Sequence, residues 1–102
     1  MSISFHPNAA AELEDATHEY VGIDPALGLD FRKEVERTIG LIGSHPHIYH
    51  LRSGLYRRAN LGGFPYHLIF VEEDGNLRMI AVAHNSRKPH FWADRLDHHD
   101  LP

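Results

Sequence analysis

The chain has 102 residues, no cysteine and a formal net charge of −4 with histidine neutral. That length bounds the fold to one domain over residues 1–102 with a single core, and the missing thiols exclude a disulfide framework and any thiolate nucleophile or metal ligand. The opening Met1 to Pro7 has no basic segment followed by an apolar stretch, and no apolar run approaches the ~20 residues that span a bilayer, so a soluble, unexported, cytoplasmic protein without a membrane partner is expected.

In chain order, the short segment Ser2 to Phe5 reads as an edge strand. A helical period follows, with Ala9, Leu13, Ala16 and Tyr20 on one stripe and Phe31, Val35, Ile39 and Ile42 on another. Between them Gly22-Ile23-Asp24-Pro25 is a stop and restart, with Asp24 placed as an N-cap and Pro25 at the first helical position. Two helices in an antiparallel hairpin result. Their stripes are one-sided, so the hairpin must lie on something that buries the apolar side.

The pattern changes near Pro46. Tyr56 to Leu61, Phe64 to Val71 and Leu77 to Ala83 have the composition of strands, joined by Gly62-Gly63 and by Glu72 to Asn76, both rich in turn formers. Leu68-Ile69-Phe70-Val71 is apolar on both faces, as in a central strand covered on both sides. Pro65 fits an edge or bulge where that strand begins. Phe64, Tyr66 and Phe70 are spaced by even steps and belong on one sheet face. Pro89 to Arg95 reads as the start of a short terminal helix, and Asp97 to Pro102 as a polar tail. The expected fold is α+β, in the order β-α-α-β-β-β, with the two-helix hairpin packed on a mainly antiparallel sheet and a short C-terminal helix.

Several segments in this order carry a family resemblance. Tyr56-Arg57-Arg58-Ala59-Asn60-Leu61, Phe64-Pro65-Tyr66 and the ending His84-x-x-Arg87-x-Pro89-x-x-Trp92 resemble the plasmid-stabilisation branch of the RelE/ParE toxins. Ala9-x-x-x-Leu13 and Gly28-x-x-Phe31 leading to His45-Pro46 extend the likeness through the first half. The resemblance implies a RelE/ParE-like fold and a cognate antitoxin whose C-terminal segment wraps and neutralises the toxin in a hetero-oligomer. It leaves two activities open: binding and inhibiting DNA gyrase, as ParE-like members do, or cutting messenger RNA on the ribosome, as RelE-like members do. An inactive relative that only binds its antitoxin is a third reading.

The residues bear on that choice. From Met1 to His50 acids outnumber bases, whereas Arg52, Arg57, Arg58, Arg78, Arg87, Lys88 and Arg95 enrich the second half in positive charge. Such a half can attract an anionic partner, although mixed charge is also what an ordinary solvated surface carries. Cleaving RNA requires a proton acceptor, a proton donor and cations at the phosphate. The candidate catalytic residues are Arg58, His84 and Arg87: two arginines to hold phosphate and a histidine to move a proton, if their strands lie side by side. His67 is a further candidate in the central strand.

Each has an ordinary alternative, since His84 can end a strand with its ring bonded to backbone and Arg87 can anchor the C-terminal turn. Trp92 reads as core. RelE-like nucleases usually carry several basic residues and often a terminal tyrosine, and here the second strand lacks lysine while Phe91 supplies no phenol. The balance leans to a non-nuclease toxin. The histidine clusters His45 to His50 and His98-His99-Asp100 fall in a proline-broken loop and in the tail, and no metal or other cofactor is expected there. Gly62-Gly63 lacks the surroundings of a phosphate cradle.

Overall fold

The structure is a computed structural model, and it describes residues 2–95. His6 accepts the N–H of Asn8 through its Nδ1 at 3.0 Å and Pro7 takes the first helical position, so the chain turns from β1 (Ile3–Phe5) straight into α1 (Pro7–Ile23). Asp24 ends one helix and starts the next. Its N–H donates to the carbonyl of Tyr20 at 2.9 Å, and its Oδ1 accepts from the N–H of Ala26 at 2.9 Å, opening α2 (Pro25–Ser44). The helices approach closely at Gly28, where any Cβ would collide with the side chain and backbone of Val21.

A 3₁₀ turn at Pro46–Ile48 leads to β2 (Leu51–Ser53), β3 (Tyr56–Asn60), β4 (Tyr66–Glu73) and β5 (Asn76–His84). The five strands form one sheet in the order β1-β5-β4-β3-β2, with β1 parallel to β5 and the other pairs antiparallel. Asp74 and Gly75 both have positive φ, 54° and 79°, which gives the β4–β5 turn the twist a two-residue hairpin requires.

Both faces of β4 are buried. On the helix side Leu68 and Phe70 meet Leu13, Ala16, Phe31, Val35 and Ile42, with Tyr20 and Ile39 packed at the margin. Tyr20, Phe31, Phe64 and Tyr66 form an aromatic cluster in which Phe31 lies 5.1–5.3 Å from each of the other rings. On the far side Ile69 and Val71 pack with Tyr56, Ile80, Ala81 and Trp92. A bulge links these faces: Ile69 opposes Ala81 and Phe70 opposes Met79, leaving Ile80 as the extra residue. Ile80 and Ala81 therefore belong to the same cluster, and the alternation of β5 is reversed beyond them.

The expected edge strand, hairpin and three long strands are present, with two corrections. A short strand, Leu51–Ser53, pairs with β3 where none was expected, because three residues with an exposed Leu51 show no alternation. The terminal helix is absent through Arg95. Pro89 has no N–H to give and His90 sits at φ 63°, so the segment forms successive turns closed by Phe91 N–H to Lys88 O, Ala93 N–H to His90 O and Arg95 N–H to Trp92 O. The polar tail, with His98, His99 and Asp100, lies outside the described residues. No helix among the described residues is long and apolar enough to cross a membrane.

Candidate functional site

The antiparallel register places Arg58 opposite Ile69, and His67 opposite Ala83, on the sheet face turned away from the helices. The turns after β5 fold across the end of this face and close a cavity of about 220 Å³ over it, whose polar lining comes from Arg52, Arg58, His67, Asn85, Arg87, Lys88 and His90. Ile69, Phe91 and Trp92 form its apolar wall. None of its described lining residues is acidic.

Asn85 organises the floor. Its Oδ1 accepts from Nδ1 of His67 at 2.8 Å and from Nη2 of Arg58 at 3.5 Å, while its own N–H is tied to the carbonyl of Pro65 at 2.8 Å. Arg58 also donates through Nε to Oδ1 of Asn60 at 2.9 Å. Burial pushes the pKa of Arg58 below its ordinary value and the Arg52 charge adds to the effect, although a guanidinium stays cationic at neutral pH. His67 is only 5% exposed. Burial pushes its pKa down, the bond to Asn85 opposes this, and the charges of Arg58, Arg52 and His84 push it down further. The ring is thus neutral at pH 7, with its proton on Nδ1 because Asn85 Oδ1 can only accept.

Of the three residues expected to act together, Arg58 and His84 are divided by the sheet, while Arg87 borders both sides. Arg58 and Arg87 line the one cavity, with the Arg87 guanidinium stacked 3.8 Å from the centre of the Phe91 ring and its Nη1 4.0 Å from Oε2 of Glu12. His84 lies on the helix side. Its ring meets Tyr66 edge-on at 5.1 Å, its Nδ1 accepts the N–H of Ser86 at 3.0 Å, and it borders a shallow depression with Glu12, Asp15, Glu19 and Arg87. Two features produce the division: β4 runs between the strands of Arg58 and His84, and the extra residue Ile80 shifts the parity of everything after it. Counted by twos from Leu77 and Met79, His84 would share the face of Arg58. The bulge sends it to the other.

Arg52, Asn85 and Lys88 complete the cavity without having been singled out from the sequence. Asn85 had a signal, since it is the first residue past β5 and can reach across its end. Arg52 had none, because its strand was not recognisable. Trp92, 3% exposed, is core, and stacks against Tyr56 with ring centres 4.4 Å apart. In the histidine-rich loop, His47 Nε2 reaches Oε1 of Glu72 at 2.8 Å. Among the described residues no three His, Cys, Asp or Glu side chains converge as a metal site.

No curated protein sequence matches the chain. A solved structure described as the chromosomal ParDE TA system from P. aeruginosa shares the fold, with a TM-score of 0.71 at 16% identity, over 82% of this chain and 95% of that one. A family model described as the ParE toxin of the type II toxin–antitoxin system parDE matches residues 3–89, most of the chain. Carried by that match and by the shared arrangement of hairpin and sheet, the conclusion is that the chain belongs to the ParE toxin family of type II toxin–antitoxin systems.

Proposed function

We propose that this chain is a growth-inhibiting toxin that acts in the cytoplasm as a single 102-residue domain, binds DNA gyrase, and is silenced by a cognate antitoxin in a hetero-oligomer. Membership of the ParE family supports the toxin reading and the antitoxin partner. The observation that carries the choice of a binding mechanism is the placement of the histidines. His84 faces the helices, away from Arg58, and His67 is buried, hydrogen-bonded to Asn85 and held below its ordinary pKa. General acid–base cleavage works best with an accessible group that titrates near the working pH. Neither His84 nor His67, the histidines the sequence offers as candidates, meets that description beside Arg58.

Ribosome-dependent cleavage of messenger RNA is the second reading, favoured by one observation: Arg58 and Arg87 share a cationic cavity that the exposed His90 also lines. One experiment separates the two. Purified toxin is added to a gyrase supercoiling assay and to a translating ribosome with a defined messenger. Loss of supercoiling with intact messenger is the expected result. Cut messenger with unimpaired supercoiling overturns the proposal, and activity in neither assay leaves only the inactive, antitoxin-binding relative.

A further inference from the structure

We propose that the cavity beside Arg58 is a binding site for a phosphate group, taken either as free orthophosphate or on a small phosphorylated metabolite. The proposal is independent of the gyrase reading. It begins from an imbalance of charge. Arg52, Arg58, Arg87 and Lys88 all face one space of about 220 Å³, and no described residue lining it is acidic. The hydrogen bonds of Arg58 go to the neutral amide oxygens of Asn60 and Asn85, and Arg52 stands close enough to make its charge felt. Like charges gathered at a partly desolvated surface are costly unless something neutralises them.

The amount of charge selects the ligand. Arg87 is shared with Glu12, 4.0 Å away, which leaves Arg52, Arg58 and Lys88 without a carboxylate among the described residues lining the cavity. A single carboxylate would answer one of these three, whereas a phosphate dianion answers two and offers enough oxygens for bidentate arginine contact. The two large aromatic side chains of the wall argue against recognition of a base. The Phe91 face is covered by the Arg87 guanidinium at 3.8 Å and Trp92 is 3% exposed, so neither presents an open ring for stacking. What the cavity can grip is the phosphate itself. Asn85 and His67 form a fixed floor because they are tied to one another, and Arg58 is held by two neighbours, so its guanidinium is in place before any ligand arrives.

The test is titration of the purified chain in phosphate-free buffer, at ionic strength fixed with chloride, followed by calorimetry and by the amide resonances of Arg58, His67 and Asn85. The probes are orthophosphate, adenosine 5′-monophosphate and adenosine. Saturable binding of both phosphates, with none of adenosine, is expected. Near-equal affinities would identify orthophosphate as sufficient, and tighter binding of the nucleotide would identify a phosphorylated metabolite as the source. Arg58→Gln should weaken binding by about tenfold, as expected for loss of a charge-assisted hydrogen bond. Arg52→Gln and Lys88→Gln, both at exposed positions, supply the same readout should Arg58→Gln fail to fold, and Lys33→Gln on the exposed side of α2 should change nothing. The proposal falls if neither phosphate gives a saturable response, if Lys33→Gln weakens binding as much as the cavity variants do, or if a glutamate-rich peptide occupies the cavity and orthophosphate fails to displace it.

Discussion

Glu12 of α1 and Arg95 of the C-terminal turns form a two-pronged ion pair, with both N–O distances 2.8 Å, over the open edge of β5. The pairing with β1 reaches only as far as Met79. Beyond it the sheet edge would present bare backbone groups, and the ion pair occupies them: Glu12 Oε1 accepts the N–H of Val82 at 3.0 Å and Arg95 Nη1 donates to the carbonyl of Ile80 at 2.9 Å. The side chains are 17% and 11% exposed, so water replaces these bonds poorly. Replacing Glu12 by alanine orphans a guanidinium and an edge N–H together, and should cost about 2–3 kcal/mol by the usual penalty for unsatisfied, charge-assisted partners. Urea denaturation checks this. A loss below that of Arg87→Ala, whose contact with Glu12 is long and half-exposed, would show that the pair contributes little.

Acid should weaken the protein through Glu34. Its carboxylate accepts from Arg37 Nε at 2.9 Å and Nη2 at 2.6 Å, from the N–H of Gly62 at 2.8 Å and from the Thr38 hydroxyl at 3.4 Å, tying α2 to the turn after β3. The Arg37 hydrogen bonds are the main cause that lowers its pKa from 4.5 to about 2, against the opposing effect of burial. A depressed carboxylate contributes stability that is complete above the unfolded value and is lost as the pH falls through the folded one. The window therefore runs from 4.5 down to about 2. Melting temperatures measured across it should fall more steeply for the parent than for Glu34→Gln, and parallel curves would contradict the assignment.

Phe31 is fully buried and touches three other aromatic rings, Tyr20, Phe64 and Tyr66. Phe31→Ala should cost about 3–5 kcal/mol, the range for emptying a large aromatic site in a close-packed core. Chemical denaturation provides the measurement, and a loss near zero would mean the cluster relaxes to fill the space.

That core was legible in the sequence because period and chemistry agreed there. The stripe through Phe31, Val35, Ile39 and Ile42, the Asp24-Pro25 restart and the two-faced run Leu68 to Val71 each follow from a local rule, and all lie where those rules place them. The site was less legible because its geometry depends on one inserted residue. Ile80 looks like any other apolar strand position, yet as the bulge it reverses the facing of Val82 and His84. The C-terminal segment failed for a similar reason: its helical composition gives no sign that His90 adopts a left-handed backbone, which follows from the turns that lay Trp92 against Tyr56.

Arg87 and Trp92 should separate function from stability. Arg87 is half-exposed, rests on Phe91 and reaches Glu12 only at 4.0 Å, so Arg87→Ala should cost less than about 1 kcal/mol, the scale of surface ion pairs. Trp92 is 3% exposed, and Trp92→Ala should cost about 3–5 kcal/mol by emptying the core on the far side of the sheet. Each variant is expressed with the antitoxin withheld, and growth is followed beside the melting temperature of the purified chain. Arg87→Ala is expected to fold and to lose toxicity, because the arginine stands at the rim of the Arg58 cavity where a target would meet it. Trp92→Ala should lose toxicity only as far as it unfolds. His84→Ala then tests the division made by the sheet. With His84 facing Tyr66 and the helices, its removal should leave toxicity closer to the parent than Arg87→Ala does. A His84→Ala variant that stays folded and becomes harmless, beside a fully toxic Arg87→Ala, would move the functional surface to the helix side of the sheet.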